Sequence, residues 1–154
     1  MLKSILLVED HPRDLELTLI ALKQCNLDED VAVTRDGVEA LDYLFRRNEF
    51  AARISGNPSL VILDLKTPRV GGIQVLETIR ASEELRSIPV VVLTNSRESS
   101  DLEQAYALGV NSYVVKPMEF SKFIEAVSDL GVFWAELNVP PPGSTPLSLR
   151  RDNA

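Results

Sequence analysis

Cysteine, histidine and tryptophan each occur once in this 154-residue chain, as Cys25, His11 and Trp134. One cysteine excludes an internal disulfide framework and suits a reducing compartment. The lack of any Cys or His cluster removes the usual ligand set for structural zinc. Basic residues are outnumbered, 16 against 23 acids, for a formal net charge of −7. Duplex nucleic acid and anionic membrane surfaces both select clustered Lys and Arg, so neither is expected as a main partner. No apolar run approaches the roughly 20 residues that span a bilayer. The run in MLKSILLVED is broken by Glu9 and Asp10 too early for a signal peptide. A cytoplasmic location is therefore expected. A glycine-rich phosphate loop is also missing, because the first apolar run is followed by EDHPRD, which would repel a bare phosphate. The Walker pattern is absent, and the phosphatase pattern of two acids two positions apart fails at Lys66.

What the chain does have is a rhythm. Ile5–Val8, Val31–Thr34, Leu60–Leu63, Val90–Leu93 and Tyr113–Val115 are short apolar runs suited to strands. Three of them are continuous Val, Ile and Leu, as strands covered on both faces require. Between them lie segments of helical period. The apolar stripes are Leu15, Thr18, Leu19, Leu22; Val38, Leu41, Phe45; Ile73, Leu76, Ile79; Leu102, Ala105, Leu108; and Phe120, Phe123, Ile124, Val127. The last stripe runs on through Leu130 and Trp134. Strand and helix alternating five times predict an α/β fold with a parallel sheet between two helical layers. Phe120, Phe123 and Ile124 are expected in the core. Residues 1–137 are expected to form one domain. The proline-bearing segment 138–154 is expected to be an extended arm or tail with no effector domain.

In an open parallel sheet ligands bind beyond the carboxyl ends of the strands. There the sequence puts Glu9 and Asp10, then Asp64, then Thr94-Asn95-Ser96, then Lys116-Pro117. Clustered carboxylates repel one another until a cation or a proton intervenes. A hard divalent ion such as Mg2+ takes oxygen ligands, commonly one or two carboxylates beside a phosphate, and Asp10 with Asp64 would serve. A carboxylate is also a competent nucleophile toward phosphorus. Lys116 would supply a point charge for phosphoryl oxygens, and Thr94 a hydroxyl donor. His11 reads as a loop or helix-start residue, Asp14 as a first-turn acid favoured by the helix dipole, and Cys25 as a small half-buried residue.

Taken together, ILLVED, VILDLKTPRVGG, VVVLTNS and YVVKP resemble the four signature segments of the receiver domain of two-component response regulators. The separations, 30 positions from Asp64 to Thr94 and 22 from Thr94 to Lys116, are those usual in that family. The resemblance implies a flavodoxin-like, doubly wound sheet of order 2-1-3-4-5 with five flanking helices. It implies Asp64 as phosphoacceptor, with Mg2+ (or Mn2+ in its place) held by Asp10, Asp64, the Lys66 backbone carbonyl and, through a water, Glu9. It makes Thr94 and Lys116 the phosphate-binding pair, Tyr113 the aromatic whose rotamer follows phosphorylation, and Lys116-Pro117 a cis bond. Lys66 stands where Asn is frequent in the family, which bears on dephosphorylation. VEDHPRD, the long Arg46–Ser59 connection and the Phe133-Trp134 pair are similar to regulators paired with bacterial phytochrome histidine kinases. That likeness implies a sensor histidine kinase as partner and self-association through the C-terminal half, to which Phe133, Trp134 and Leu137 are expected to contribute. The implied role is a signalling switch that turns over nothing but its own phosphoryl group. A receiver-like interaction module indifferent to phosphate is the alternative.

Overall fold

The computed structural model describes residues 4–54 and 56–145. Five strands, β1 (Ile5–Val8), β2 (Val31–Thr34), β3 (Leu60–Leu63), β4 (Val90–Thr94) and β5 (Ser112–Val115), form one parallel sheet in the order β2-β1-β3-β4-β5. Five helices connect and follow them: α1 (Pro12–Gln24), α2 (Gly37–Phe45), α3 (Gly72–Ala81), α4 (Ser99–Ala107) and α5 (Phe120–Val132). All five strands lie where their apolar runs predict them. The fold is the flavodoxin-like one expected.

The continuous apolar runs of β1, β3 and β4 are buried along their whole length. Side chains alternate across a strand, so each run feeds two cores. Leu6, Val8, Val61, Leu63, Val90 and Val92 face a layer made by α2, α3 and α4, with Leu44, Leu76, Ile79 and Ala105. Ile5, Leu7, Leu60, Ile62, Val91 and Leu93 face α1 and α5, with Leu22, Phe123 and Val127. The register sets β1 Val8 opposite both β2 Thr34 and β3 Leu63, and β4 Thr94 opposite β5 Val115. The strands therefore end nearly level, and the residues that follow them share one rim.

Local chemistry fixes the helix starts on that rim. The His11 ring accepts the Asp14 amide at 3.5 Å and Pro12 opens α1. Asp36 caps α2 by accepting the Glu39 amide at 2.8 Å. At the start of α3 a Cβ on Gly72 would collide with the Asp64 carbonyl oxygen and the Leu65 Cα. Glycine there lets the helix sit directly behind Asp64.

One detail differs from the sequence reading, and two go beyond it. Phe120, expected in the core, is 55% exposed at the first position of α5. Phe123 is buried and Ile124 is half-buried, one turn further in. The Arg46–Ser59 connection is organised by Arg53, which stacks over Tyr43 and donates to the carbonyls of Tyr43, Leu44 and Gly56. The C-terminal segment also docks in part. After α5 a π-helical turn, Phe133–Leu137, carries half-buried Trp134 and buried Ala135 onto the core. The chain then returns so that Thr145 donates to the Asn57 carbonyl at 2.7 Å. Residues 146–154 of the expected arm lie outside the described residues.

Candidate functional site

Backbone hydrogen bonds extend each strand ladder by one residue into the rim. Glu9 N donates to the Thr34 carbonyl at 3.0 Å, Asp64 N to Val8 at 3.1 Å and Lys116 N to Thr94 at 2.8 Å. These bonds fix where Glu9, Asp64 and Lys116 leave the sheet. Lys116, only 3% exposed, reaches back with a single ammonium to three carboxylates. Its Nζ donates to Glu9 Oε2 at 2.8 Å, Asp14 Oδ2 at 2.9 Å and Asp64 Oδ2 at 2.9 Å. On the open side, Glu9, Asp10 and Asp64 each offer a carboxylate oxygen within 4.8 Å of the other two.

The charges in this cluster do not balance. Glu9, Asp14 and Asp64 share one ammonium, and Asp10 lies beside Glu9 and Asp64. Burial, with Asp64 beside it, pushes the Glu9 carboxyl up to about 7 even though Lys116 and the His11 amide hold its charged form. Burial alone would depress the Lys116 ammonium, but the carboxylates of Glu9, Asp14 and Asp64 outweigh it and hold the group well above its ordinary range. An excess of closely set hard oxygens, with one acid driven toward its protonated form, is the donor set that a small divalent cation relieves. Nothing soft is present to favour zinc or copper over Mg2+ or Mn2+. The residues therefore fit the metal that the family implies, and Asp10, Asp64 and Glu9 are the side chains that would hold it.

Of the residues expected here, Glu9, Asp10, Asp64 and Lys116 converge. Thr94 is fully buried at the end of β4, and its Oγ1 accepts the Ser96 amide at 3.3 Å. Tyr113 is half-buried, and its hydroxyl donates to the Ser96 carbonyl at 3.0 Å. Both are thus engaged with the β4–α4 loop rather than with the carboxylates. The Lys66 amide approaches Asp64 Oδ1 at 3.3 Å, while its side chain turns away to Asp101.

One sequence reading needs correction. Lys116-Pro117 is a trans bond, as are all peptide bonds among the described residues. Trans is the intrinsically favoured isomer, and Lys116 already meets its three partners with that bond in place. Asp14 is the first-turn acid expected, and it is also a member of the cluster, only 7% exposed. Its place in the first turn of a helix that starts at the rim, where Glu9 and Asp10 also lie, was the available signal.

With this geometry established, comparison with known proteins is informative. The family described as "Response regulator receiver domain" matches residues 5–128. The chain is 42% identical over 137 residues to the probable methanogenesis regulatory protein FilR2 of Methanothrix harundinacea, covering 89% of this chain and 86% of that one. It is 37% identical over 134 residues to response regulator Rcp1 of Synechocystis, covering 87% and 90% of the two chains. The crystal structure of the Mn(2+)-bound form of Rcp1 superposes with a TM-score of 0.84 at 35% identity, covering 90% of this chain and 99% of that chain. The structure of the bacteriophytochrome response regulator RtBRR is 60% identical, with a TM-score of 0.73, covering 94% of this chain and 87% of that chain.

Proposed function

The chain belongs to the response regulator receiver domain family, close to regulators of phytochromes, and on that premise we propose that it accepts a phosphoryl group from a sensor histidine kinase on Asp64. The observation that carries the reading is the meeting of Glu9, Asp10 and Asp64 on the rim, with the buried Lys116 ammonium bonded to Glu9 and Asp64. In the transfer a carboxylate oxygen of Asp64 attacks phosphorus. An acyl phosphate bond forms, the P–N bond of the phosphohistidine breaks, and the imidazole leaves with a proton. Phosphoryl transfer asks a protein mainly for positioning and charge neutralisation.

The metal, Mg2+ or Mn2+, would be held by Asp10, Asp64, the Lys66 carbonyl and, through a water, Glu9. When bound it neutralises charge on the carboxylates and on the phosphoryl oxygens. Lys116 orients the Asp64 carboxylate and supplies the positive charge that incoming oxyanions meet. Thr94 would turn its hydroxyl from the Ser96 amide to the phosphoryl group, and Tyr113 would follow. The same site would return the phosphoryl group to water, its only turnover. The kinase would be a phytochrome in the cytoplasm, as the likeness to the bacteriophytochrome regulator suggests. Output would pass through a changed protein surface or dimer. Exposed Phe133 and Leu137 after α5 support self-association through the C-terminal half.

Intact-protein mass after incubation with acetyl phosphate and Mg2+ tests this reading. One added phosphoryl group, absent in Asp64→Asn and in EDTA, is expected. If there is no adduct, and no spectral response to Mg2+ with beryllofluoride, the phosphate-indifferent interaction module replaces it.

A further inference from the structure

Helix α4 is weakly attached to the rest of the molecule. Of Ser99–Ala107 only Ala105 is buried, while Leu102 and Tyr106 are exposed. So little buried surface marks an element that opens easily. A polar network holds its first turn. Asp101 Oδ2 pairs with the Lys66 ammonium at 3.1 Å and accepts the Ser96 hydroxyl at 2.5 Å. Ser96 is fixed in turn by the bond from its amide to Thr94 Oγ1 and by the Tyr113 hydroxyl on its carbonyl. The Ser96 hydroxyl and the Lys66 ammonium hold the Asp101 carboxyl below the usual range, and Asp101 raises Lys66. The network thus runs from the loop after Asp64, through α4, to the β4–α4 loop.

Resting on the reading that Asp64 takes a phosphoryl group, we propose that the Lys66–Asp101 pair is a latch that holds α4 in the unphosphorylated state, and that phosphorylation releases it from both ends. Lys66 lies two residues after Asp64, and its side chain is 61% exposed on a flexible stem. A phosphoryl group on Asp64 brings about −1.5 to −2 charges against the single charge of Asp101. The ammonium therefore has a stronger partner within its own loop. At the far end, Thr94 turning to the phosphoryl oxygens takes the acceptor away from the Ser96 amide. Asp101 then loses Lys66 directly, and its remaining partner Ser96 is loosened. In this account Lys66 is a positioning residue, acting on α4 through Asp101.

Hydrogen exchange of the α4 amides in the full chain tests the latch, with intact mass recorded on the same samples. Wild type, Lys66→Met, Asp101→Asn and the double variant are compared with and without acetyl phosphate and Mg2+. Without phosphate each single variant is expected to exchange about two- to five-fold faster than wild type, the range for an ion pair of this exposure. The double variant should exchange no faster than either single one. Phosphorylated wild type should reach at least the single-variant rate, phosphorylated Asp101→Asn should respond less than wild type because only the Ser96 end is left to release, and Lys66→Arg should behave as wild type. Additive effects in the double variant, or an equal phosphorylation response in wild type and Asp101→Asn, would overturn the latch. A wild type that gains no phosphoryl mass would instead overturn the functional reading beneath it.

Discussion

The two ends of the sheet bury polar groups in opposite ways. At the amino ends, Ser59 donates its amide to the Ser4 carbonyl at 2.6 Å and its hydroxyl to the Thr145 carbonyl at 2.6 Å, and Asn57 reaches the Glu84 carbonyl at 2.8 Å. Each of these contacts joins neutral partners. At the carboxyl ends Lys116 faces three carboxylates, with Asp10 beside them. The first arrangement holds chain segments together without gathering charge. The second keeps an unbalanced charge in a buried place, which costs stability unless a cation or a proton arrives. The contrast separates structure from function within one sheet.

Removing the ammonium should break the contrast most strongly. Lys116→Met leaves Glu9, Asp14 and Asp64 without their shared cation, and loss of one partner from a buried pair costs about 3–5 kcal/mol. Urea unfolding at neutral pH should show that loss, and added Mg2+ should recover part of it. A variant as stable as wild type would mean that the carboxylates are already relieved by solvent.

The pH dependence of metal binding sharpens the same end. Glu9 is raised to about 7 by burial. A group raised in the folded state adds stability that is full below its unfolded value, near 4.5, and lost as pH rises through about 7. In the metal-free protein, stability attributable to Glu9 should therefore fall across that window. Below about 7 the proton competes with the cation, so Mn2+ affinity should weaken by up to about tenfold per pH unit. Glu9→Gln should flatten both trends. Titration calorimetry at several pH values checks the second.

At the amino end the effects should be small and local. Ser59→Ala removes one neutral hydrogen bond to Thr145 and should lower stability by about 1 kcal/mol. Phosphoryl uptake in that variant should match wild type. An altered uptake would join the two ends energetically and weaken the contrast.

The sheet was legible because continuous Val, Ile and Leu runs have one stable setting, between two helical layers. The acids at its rim were legible because a strand end is the one place where such a run can stop on a carboxylate. Asp14 was obscured by its own helix, since a first-turn acid has a sufficient local explanation in the dipole. Phe120 fits the apolar stripe of α5, and periodicity does not say which turns of a helix are covered. The docking of Thr145 on Asn57 joins residues far apart in the chain through backbone groups, which carry no sequence signal. The partner of Lys66 was hidden for a related reason: it depends on where α4 begins, a boundary set by tertiary packing.

The central claim is that the carboxyl rim, and not the amino end, is built to receive a cation and a phosphoryl group. The most direct test is the amide NMR spectrum of the full chain before and after Mg2+ with beryllofluoride. The account predicts shifts at Glu9, Asp10, Asp64 to Lys66, Thr94 to Ser96 and Lys116, with Asn57, Ser59 and Thr145 unmoved. Shifts spread equally over both ends, or none at the rim, would contradict it.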